Sequence, residues 1–223
     1  MKPRGVTGSL FDEAAADAPR SREPLAPGAI LLRGFALEFE KDLRKALDRI
    51  VAAAPFRHMV TPGGFRMSVA MTNCGDFGWI TDRRGYRYDR LDPDSGKPWP
   101  KMPQAFLDLA ERAATAAGYP GFVPDACLIN RYEPGARLSL HQDRNEKDFG
   151  APIVSVSLGL PATFLFGGDD RSDRPRRVSI LHGDVAVWGG PSRLAFHGIA
   201  PLKDGEHEGM GRQRINLTLR RAQ

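Results

Sequence analysis

From residue 126 to the C-terminus, short apolar-rich runs recur at near-regular spacing with turn formers between them. They are ACLINRY (126–132), RLSLH (137–141), PIVSVSL (152–158), ATFLF (162–166), RVSIL (177–181), DVAVW (184–188), RLAFH (193–197) and RINLTLR (214–220). Many short strands broken by Gly and Pro predict a sandwich or barrel, not alternating βαβ units. Upstream, AILLR (29–33) predicts a first strand. Residues 40–54 place Leu43, Leu47, Ile50 and Val51 on one helical face, with Lys41, Asp42, Arg44 and Lys45 elsewhere and Pro55 just beyond the end. A second helix is predicted over 103–118, with Phe106, Ala110, Ala113 and Ala117 in one stripe and Gly118 as its stop. Residues 1–27 show no sustained period and predict a poorly ordered arm. Residues 56–101 mix strand-like pieces such as MSVAMT (67–72) with turns, aromatics and arginines, and predict a substrate-facing insertion.

Composition narrows the class. A chain of 223 residues can bury a full core as one domain without disulfides. Cys74 and Cys127 form no CxxC pair, so both are expected to be small packing residues in a reducing compartment. No apolar run approaches the roughly 20 residues that span a bilayer, and Lys2 and Arg4 soon meet Asp12 and Glu13 without an apolar stretch between. A cytoplasmic protein with no membrane partner is expected. The net charge of +5 is compatible with a polyanionic partner.

His141 and Asp143 stand two residues apart at a strand end, which puts both side chains on one face. A distant histidine completes a two-His, one-carboxylate facial set that leaves open positions on Fe(II) for a 2-oxo acid and O₂. His182 and Asp184 make a second H-x-D pair, but Gly183 between them fits a hairpin turn; spacing favours the first pair without excluding the second. His197 ends RLAFH and, taken alone, is a hydrogen-bonded histidine at a strand end. The segment downstream changes that reading. In RINLTLR, Arg214, Asn216, Thr218 and Arg220 share one face and Ile215, Leu217 and Leu219 the other. If the apolar face packs against other elements, two arginines point inward, where they need anionic partners such as the two carboxylates of 2-oxoglutarate. Asn130 and Tyr132 alternate on one face of their own run and offer neutral hydrogen bonds.

HQD (141–143), FHG (196–198), RINLTLR and LINRY (128–132), in this order, resemble the AlkB family of oxidative nucleic-acid demethylases. PFRHMVTPGG (55–64), MSVAMTNCG (67–75), KPWPKMPQ (97–104), RAATAAGYPGF (112–122), PIVSVSLGLPA (152–162) and VWGG (187–190) extend the likeness from about residue 22 to the C-terminus. The resemblance implies a mainly β fold with flanking helices: a double-stranded β-helix (jelly-roll) core over 126–223 and a nucleotide-recognition lid over 56–101, in one dioxygenase domain spanning 28–223. It implies Fe(II) held by His141, Asp143 and His197, with O₂ and 2-oxoglutarate as cosubstrates. Arg214, Asn216 and Tyr132 match positions at the distal carboxylate of 2-oxoglutarate, and Arg220 and Asn130 those at its ketoacid end. Trp79, Tyr86, Arg87, Tyr88 and Arg171 match substrate-contacting positions.

The implied reaction oxidises an N-methyl carbon, after which the hydroxymethyl group leaves as formaldehyde. The implied partner is methylated single- or double-stranded DNA, or RNA, met by a monomer. A flipped base needs π-faces to stack on, and Trp79 with His141 opposite is the expected sandwich. Arg83, Arg84 and Arg87, with Arg171, Arg174, Arg176 and Arg177, are candidate phosphate contacts, although acids are interleaved with them. Three positions depart from the family pattern: Asn145 where an acid contacts the base, Phe65 where Tyr is usual, and Ile215 where the cosubstrate strand has Tyr, on the face away from the arginines. Alternatives are a 2-oxoglutarate oxygenase acting on RNA, protein or a small molecule, a zinc hydrolase, and a binding module without catalysis. The stacking aromatics argue against a protein or small-molecule substrate, the Arg214/Arg220 pair against a zinc hydrolase, and the intact triad against a module without catalysis.

Overall fold

In a computed structural model, which describes residues 21–223, the strands pair antiparallel and divide between two sheets and a separate hairpin. The larger sheet contains β1 (Arg22–Ala26), β2 (Ala29–Leu32), β3 (Ala70–Gly75), β6 (Ala126–Tyr132), β8 (Ile153–Gly159), β11 (Val185–Trp188) and β13 (Arg214–Arg220). Their order is β1-β2-β11-β8-β13-β6-β3. The smaller sheet contains β7 (Leu138–His141), β9 (Ala162–Phe166), β10 (Arg176–Ile180) and β12 (His197–Ile199), in the order β10-β9-β12-β7. Together they make the expected jelly-roll core. Helices α1 (Glu40–Ala53) and α2 (Gln104–Ala116) lie against one face of the larger sheet.

Strand alternation explains the layering. Ile215, Leu217 and Leu219 of β13 bury against the helix side with Val154, Val156 and Leu158 of β8. Leu43, Leu47 and Ile50 of α1 and Phe106, Leu109 and Ala113 of α2 fill the same layer. The other residues of β13 face the space between the sheets, which Tyr132, Phe164, Ile180 and Trp188 wall with apolar surface. β13 lies between β8 and β6 and is buried along its whole length, so both of its faces are committed.

Three segments differ from the expectation. Arg22–Ala26 falls within the expected arm but is an edge strand, paired from Arg22 opposite Leu32 to Ala26 opposite Ala29. Pro24 is tolerated there because an edge strand leaves one side of its backbone unpaired. Residues 1–20 of that arm lie outside the described residues. RLAFH is not a strand: Gly190–Ser192 forms a 3-10 turn, Arg193 and Ala195 donate back to Gly190 and Ser192, and the strand begins at His197. Positive φ at Gly190 turns the chain there, so backbone groups are satisfied locally and not by a ladder. The His182–Gly183 turn joins β10 to β11 across two sheets, not within a hairpin. Its polar groups are spent on structure. His182 Nδ1 accepts the Gly159 N–H at 2.9 Å, and Asp184 accepts the N–H groups of Gly34 and Leu181 and pairs with Arg33 at 2.8 Å.

The 56–101 segment contains a hairpin, β4 (Gly78–Asp82) and β5 (Gly85–Asp89). Its open end rests on Trp99, whose buried indole donates Nε1–H to the Asp89 carbonyl at 3.0 Å and lies under Arg57. Gly78 sits against the Trp99 ring so closely that a Cβ would overlap it. Gly78→Ala should therefore overpack this joint and cost about 1–3 kcal/mol. Urea unfolding followed by tryptophan fluorescence checks this, and an unchanged midpoint would mean that Trp99 moves aside freely.

Candidate active site

The jelly roll brings the first histidine pair together by register. His197 on β12 stands directly opposite His141 on β7, with ring centroids 4.4 Å apart. Asp143 follows two residues after His141. Its Oδ1 lies 3.8 Å from His141 Nε2 and its Oδ2 lies 3.7 Å from His197 Nε2. The three potential ligand atoms fall within 4.8 Å of one another, and no other such cluster occurs among the described residues. His182 and Asp184 are thus excluded from the metal-competent set.

Each histidine is held in the tautomer a metal requires. His141 Nδ1 lies 2.9 Å from the Ser139 carbonyl and His197 Nδ1 lies 3.0 Å from the Ala195 carbonyl. A carbonyl only accepts, so each Nδ1 carries a proton, which in a neutral ring leaves the lone pair on Nε2. Burial, reinforced by His141, pulls the His197 pKa down to about 4, so this imidazole is neutral near pH 7. Burial alone would push the Asp143 carboxyl up. Arg220, His197 and His141 outweigh it and hold the carboxyl well below the usual range.

Arg220, expected near the ketoacid end of 2-oxoglutarate, has a carboxylate of its own chain beside it. Its guanidinium grips Asp143 Oδ2 through Nη2 at 2.6 Å and Nε at 2.9 Å, with Glu146 Oε1 at 3.6 Å. It reaches the same cavity but already has its anion. Arg214 does not. Fully buried, it donates Nη2 to Ser157 at 2.9 Å and lies over the Tyr132 ring, while Nε and Nη1 have no partner. Burial pulls the pKa of this guanidinium down, against a smaller opposite pull from Tyr132. A buried cation with unpartnered N–H groups on two of its nitrogens is a cradle for an anion. Asn130 Oδ1 is also unpartnered, and its Nδ2 donates to Asn216 Oδ1 at 3.3 Å. Asn216 is saturated: its NH₂ bonds Ser155 Oγ and the Val156 carbonyl, and its Oδ1 also accepts Thr218. It organises the strand neighbours and has no donor left for a ligand.

These groups line one cavity of about 920 Å³ that also reaches Trp79, Tyr86, Asn145 and Arg171. Trp79 stacks on Tyr86 at 5.6 Å and 22°, and its Nε1 donates to Asn145 Oδ1 at 3.2 Å. The expected sandwich partner His141 is on the cavity wall, turned toward His197. Arg87 and Tyr88 do not join the lining. Arg87 pairs with Asp82, which also holds Arg84. The Tyr88 hydroxyl donates to Glu146 at 2.5 Å, and Arg220 Nη1 approaches it at 3.4 Å.

Sequence reasoning missed Ser155, Ser157, Glu146 and Arg193. The serines carried a signal, since in PIVSVSL they alternate with Val and Leu and so share the polar face. Glu146 and Arg193 carried none. Buried Arg193 bonds the Asp143 carbonyl at 2.7 Å, the Ala151 carbonyl at 3.0 Å and Glu146 at 3.2 Å, a convergence that only folding creates.

Removal of a ligand should lower metal affinity by more than the roughly 10–100-fold that outer-shell losses cost. His141→Ala, Asp143→Ala and His197→Ala should each do so in Mn(II) calorimetry, and His182→Ala should stay within about twofold of wild type. Equal losses in the Asp143 and Asp184 variants would contradict the assignment.

The family profile described as the 2OG-Fe(II) oxygenase superfamily matches residues 28–220. The chain is 60% identical over 207 residues to the alpha-ketoglutarate-dependent dioxygenase AlkB of Escherichia coli, covering 93% of this chain and 96% of that one. It is 37% identical over 133 residues to the nucleic acid dioxygenase ALKBH1 of Mus musculus, covering 57% of this chain and 33% of that one. The solved structure of OsALKBH1 superposes with a TM-score of 0.79 at 28% identity, over 90% of this chain and 100% of that one. With its His141/Asp143/His197 centre and the cradle at Arg214, this chain belongs to the AlkB family of Fe(II)- and 2-oxoglutarate-dependent dioxygenases.

Proposed function

We propose that the protein demethylates N-alkylated bases of the 1-methyladenine and 3-methylcytosine type in DNA, with RNA as a second substrate, and so repairs alkylation damage. The observation that carries this reading is the single cavity, with the triad and Arg214 in its interior and an aromatic pair, Trp79 on Tyr86, reaching the same space. About 920 Å³ accommodates a five-carbon dicarboxylate and a planar base together. The name of the mouse relative, a nucleic acid dioxygenase, is in keeping with it.

Bound Fe(II), 2-oxoglutarate and O₂ supply the oxidant for the methyl carbon. His141, Asp143 and His197 would hold the metal, with Asp143 Oδ1 the oxygen left free by Arg220. Arg214 would take the distal carboxylate of the cosubstrate through its unpartnered N–H groups, with Tyr132 beside it and Asn130 facing the same cavity. Trp79 and Tyr86 would cover one face of the flipped base. Asn145, which lies on the lining and accepts from Trp79, would meet the edge of the base with its free NH₂ or, after the Trp79 bond breaks, its carbonyl.

Formaldehyde release from a 1-methyladenine oligonucleotide, with Fe(II), 2-oxoglutarate and an unmethylated control, tests the reading directly. No release would refute it. Arg214→Lys replaces a two-pronged donor with a point charge and should raise the KM for 2-oxoglutarate about tenfold or more, because hydrogen bonds to charged groups contribute roughly 1.5–3 kcal/mol. An unchanged KM would remove Arg214 from the cosubstrate site. Asn145→Asp adds a carboxylate near a cationic base. It should improve kcat/KM for 1-methyladenine and 3-methylcytosine, by up to about tenfold, more than for neutral 1-methylguanine and 3-methylthymine. Equal effects on all four bases would show that residue 145 does not read the base.

A further inference from the structure

Asn73 is a fully buried amide on the face of β3 that also carries Met71, and across the register it meets Leu128. Both neighbours are apolar and both line the cavity. An amide enters such a layer only with its hydrogen bonds made. The two bonds of Asn73 go to a single residue. Its Oδ1 accepts the Trp79 N–H at 3.0 Å, and its Nδ2 donates to the Trp79 carbonyl at 3.1 Å. A residue opposite in an antiparallel strand would exchange the same two bonds with Trp79 through its backbone. Here β3 and β4 belong to different sheets, and the amide side chain takes the place of that strand.

The remaining polar and stacking contacts of Trp79 lie toward solvent. Its indole N–H meets the exposed Asn145, and its ring stacks on Tyr86, which is 48% exposed. Both contacts involve the ring and lie on the cavity, so an entering base must rearrange them. The Asn73 bonds involve the backbone and come from a side chain with no exposed surface, so they can stay closed. Buried Ile80 follows Trp79, and Gly78 before it rests on the Trp99 ring. Asn73 does not line the cavity itself. Whatever it contributes to a bound base must pass through Trp79.

We propose that Asn73 is a positioning residue for the base site. It ties the backbone of Trp79 to the larger sheet, which also carries Arg214 on β13, and so fixes the stacking ring relative to the metal centre. This role rests on the reading above, in which Trp79 covers the flipped base. With the tie cut, Trp79 would still stack, but the methyl group would be held out of line, and a misplacement of about 1 Å can cost about 100-fold in rate. The loss should fall on turnover of the methyl group and spare 2-oxoglutarate binding.

Two measurements test this. The first is amide hydrogen exchange on the wild-type protein without substrate. The Trp79 amide should exchange at least about 100-fold more slowly than the Arg84 amide, which donates to Asp82 in the turn of the hairpin. Similar rates would mean that the tie opens freely, and would overturn the proposal. The second is a double-mutant cycle on a single-stranded 1-methyladenine oligonucleotide. Asn73→Leu keeps the size of the side chain and removes both bonds. It should lower kcat/KM about tenfold, raise the 2-oxoglutarate consumed per formaldehyde released, and leave the KM for 2-oxoglutarate within about twofold. Asn73→Asp keeps the acceptor for the Trp79 N–H and serves the same cycle if the leucine variant does not fold. In a Trp79→Ala background no ring remains to be positioned. Substitution at 73 should then change kcat/KM by less than about twofold, while its loss of Tm is the same in both backgrounds. Equal losses of kcat/KM with and without the ring would show that Asn73 only stabilises the fold, and the proposal would fall. Wild-type protein that releases no formaldehyde refutes the demethylation reading instead, an outcome that the exchange rates keep separate.

Discussion

The buried charge network around Asp143 is the interaction on which the rest of the site depends. Asp143 is held by Arg220 on β13, Arg220 also approaches Glu146, and Glu146 pairs with Arg193. Two cations and two anions share an interior that none would enter alone, because an unpaired buried charge costs several kcal/mol. The four residues come from three places: the larger sheet, the segment after β7, and the turn that leads into β12. Breaking one partner leaves the others uncompensated, typically at a cost of about 3–5 kcal/mol. Tyr88 adds the β4–β5 hairpin, since its hydroxyl rests on Glu146. Asp143, strand β13 and the β4–β5 hairpin are therefore mechanically one unit.

That unit explains why the two inward arginines of β13 have different fates. They sit on the same face of one strand, six residues apart, yet Arg220 meets a carboxylate of its own chain and Arg214 meets only Ser157 and the Tyr132 ring. The asymmetry separates them: Arg220 is satisfied within the chain, and Arg214 keeps two unpartnered nitrogens. Strict alternation in RINLTLR guarantees that both point inward, and the long register of β13 with β6 and β8 keeps them there.

The β4–β5 hairpin follows a similar logic with weaker forces. Trp99 fixes the open end of the β4–β5 hairpin, while Trp79 and Tyr86 cover one another where a base is expected. Exposed ion pairs of the kind Asp82 makes with Arg84 and Arg87 contribute little to stability, but they take those guanidiniums out of competition for phosphate. Arg66, Arg137, Arg144 and Arg171, by contrast, line the cavity with no side-chain ion pair among the described residues.

The sequence by itself determined what periodicity and spacing encode. The period of two in β13 assigned its two faces, and the H-x-D spacing placed His141 and Asp143 together. The run of short strands announced a β sandwich, and the helical stripes of α1 and α2 were readable because each helix buries one side. Motif order then carried the family. What only the tertiary structure decided were matters of partnership between distant segments. Spacing could not exclude His182 and Asp184; the Gly159 N–H and Arg33 did. Alternating burial made RLAFH look like a strand, because a turn that buries Arg193 and Ala195 leaves the same local pattern as a ladder. Glu146 and Arg193 had no local signature at all, and the use of Arg220 depended on an aspartate 77 residues away. Local pattern fixes the face on which a side chain lies, since that follows from backbone geometry. Which partner it meets depends on contacts brought together by the whole chain.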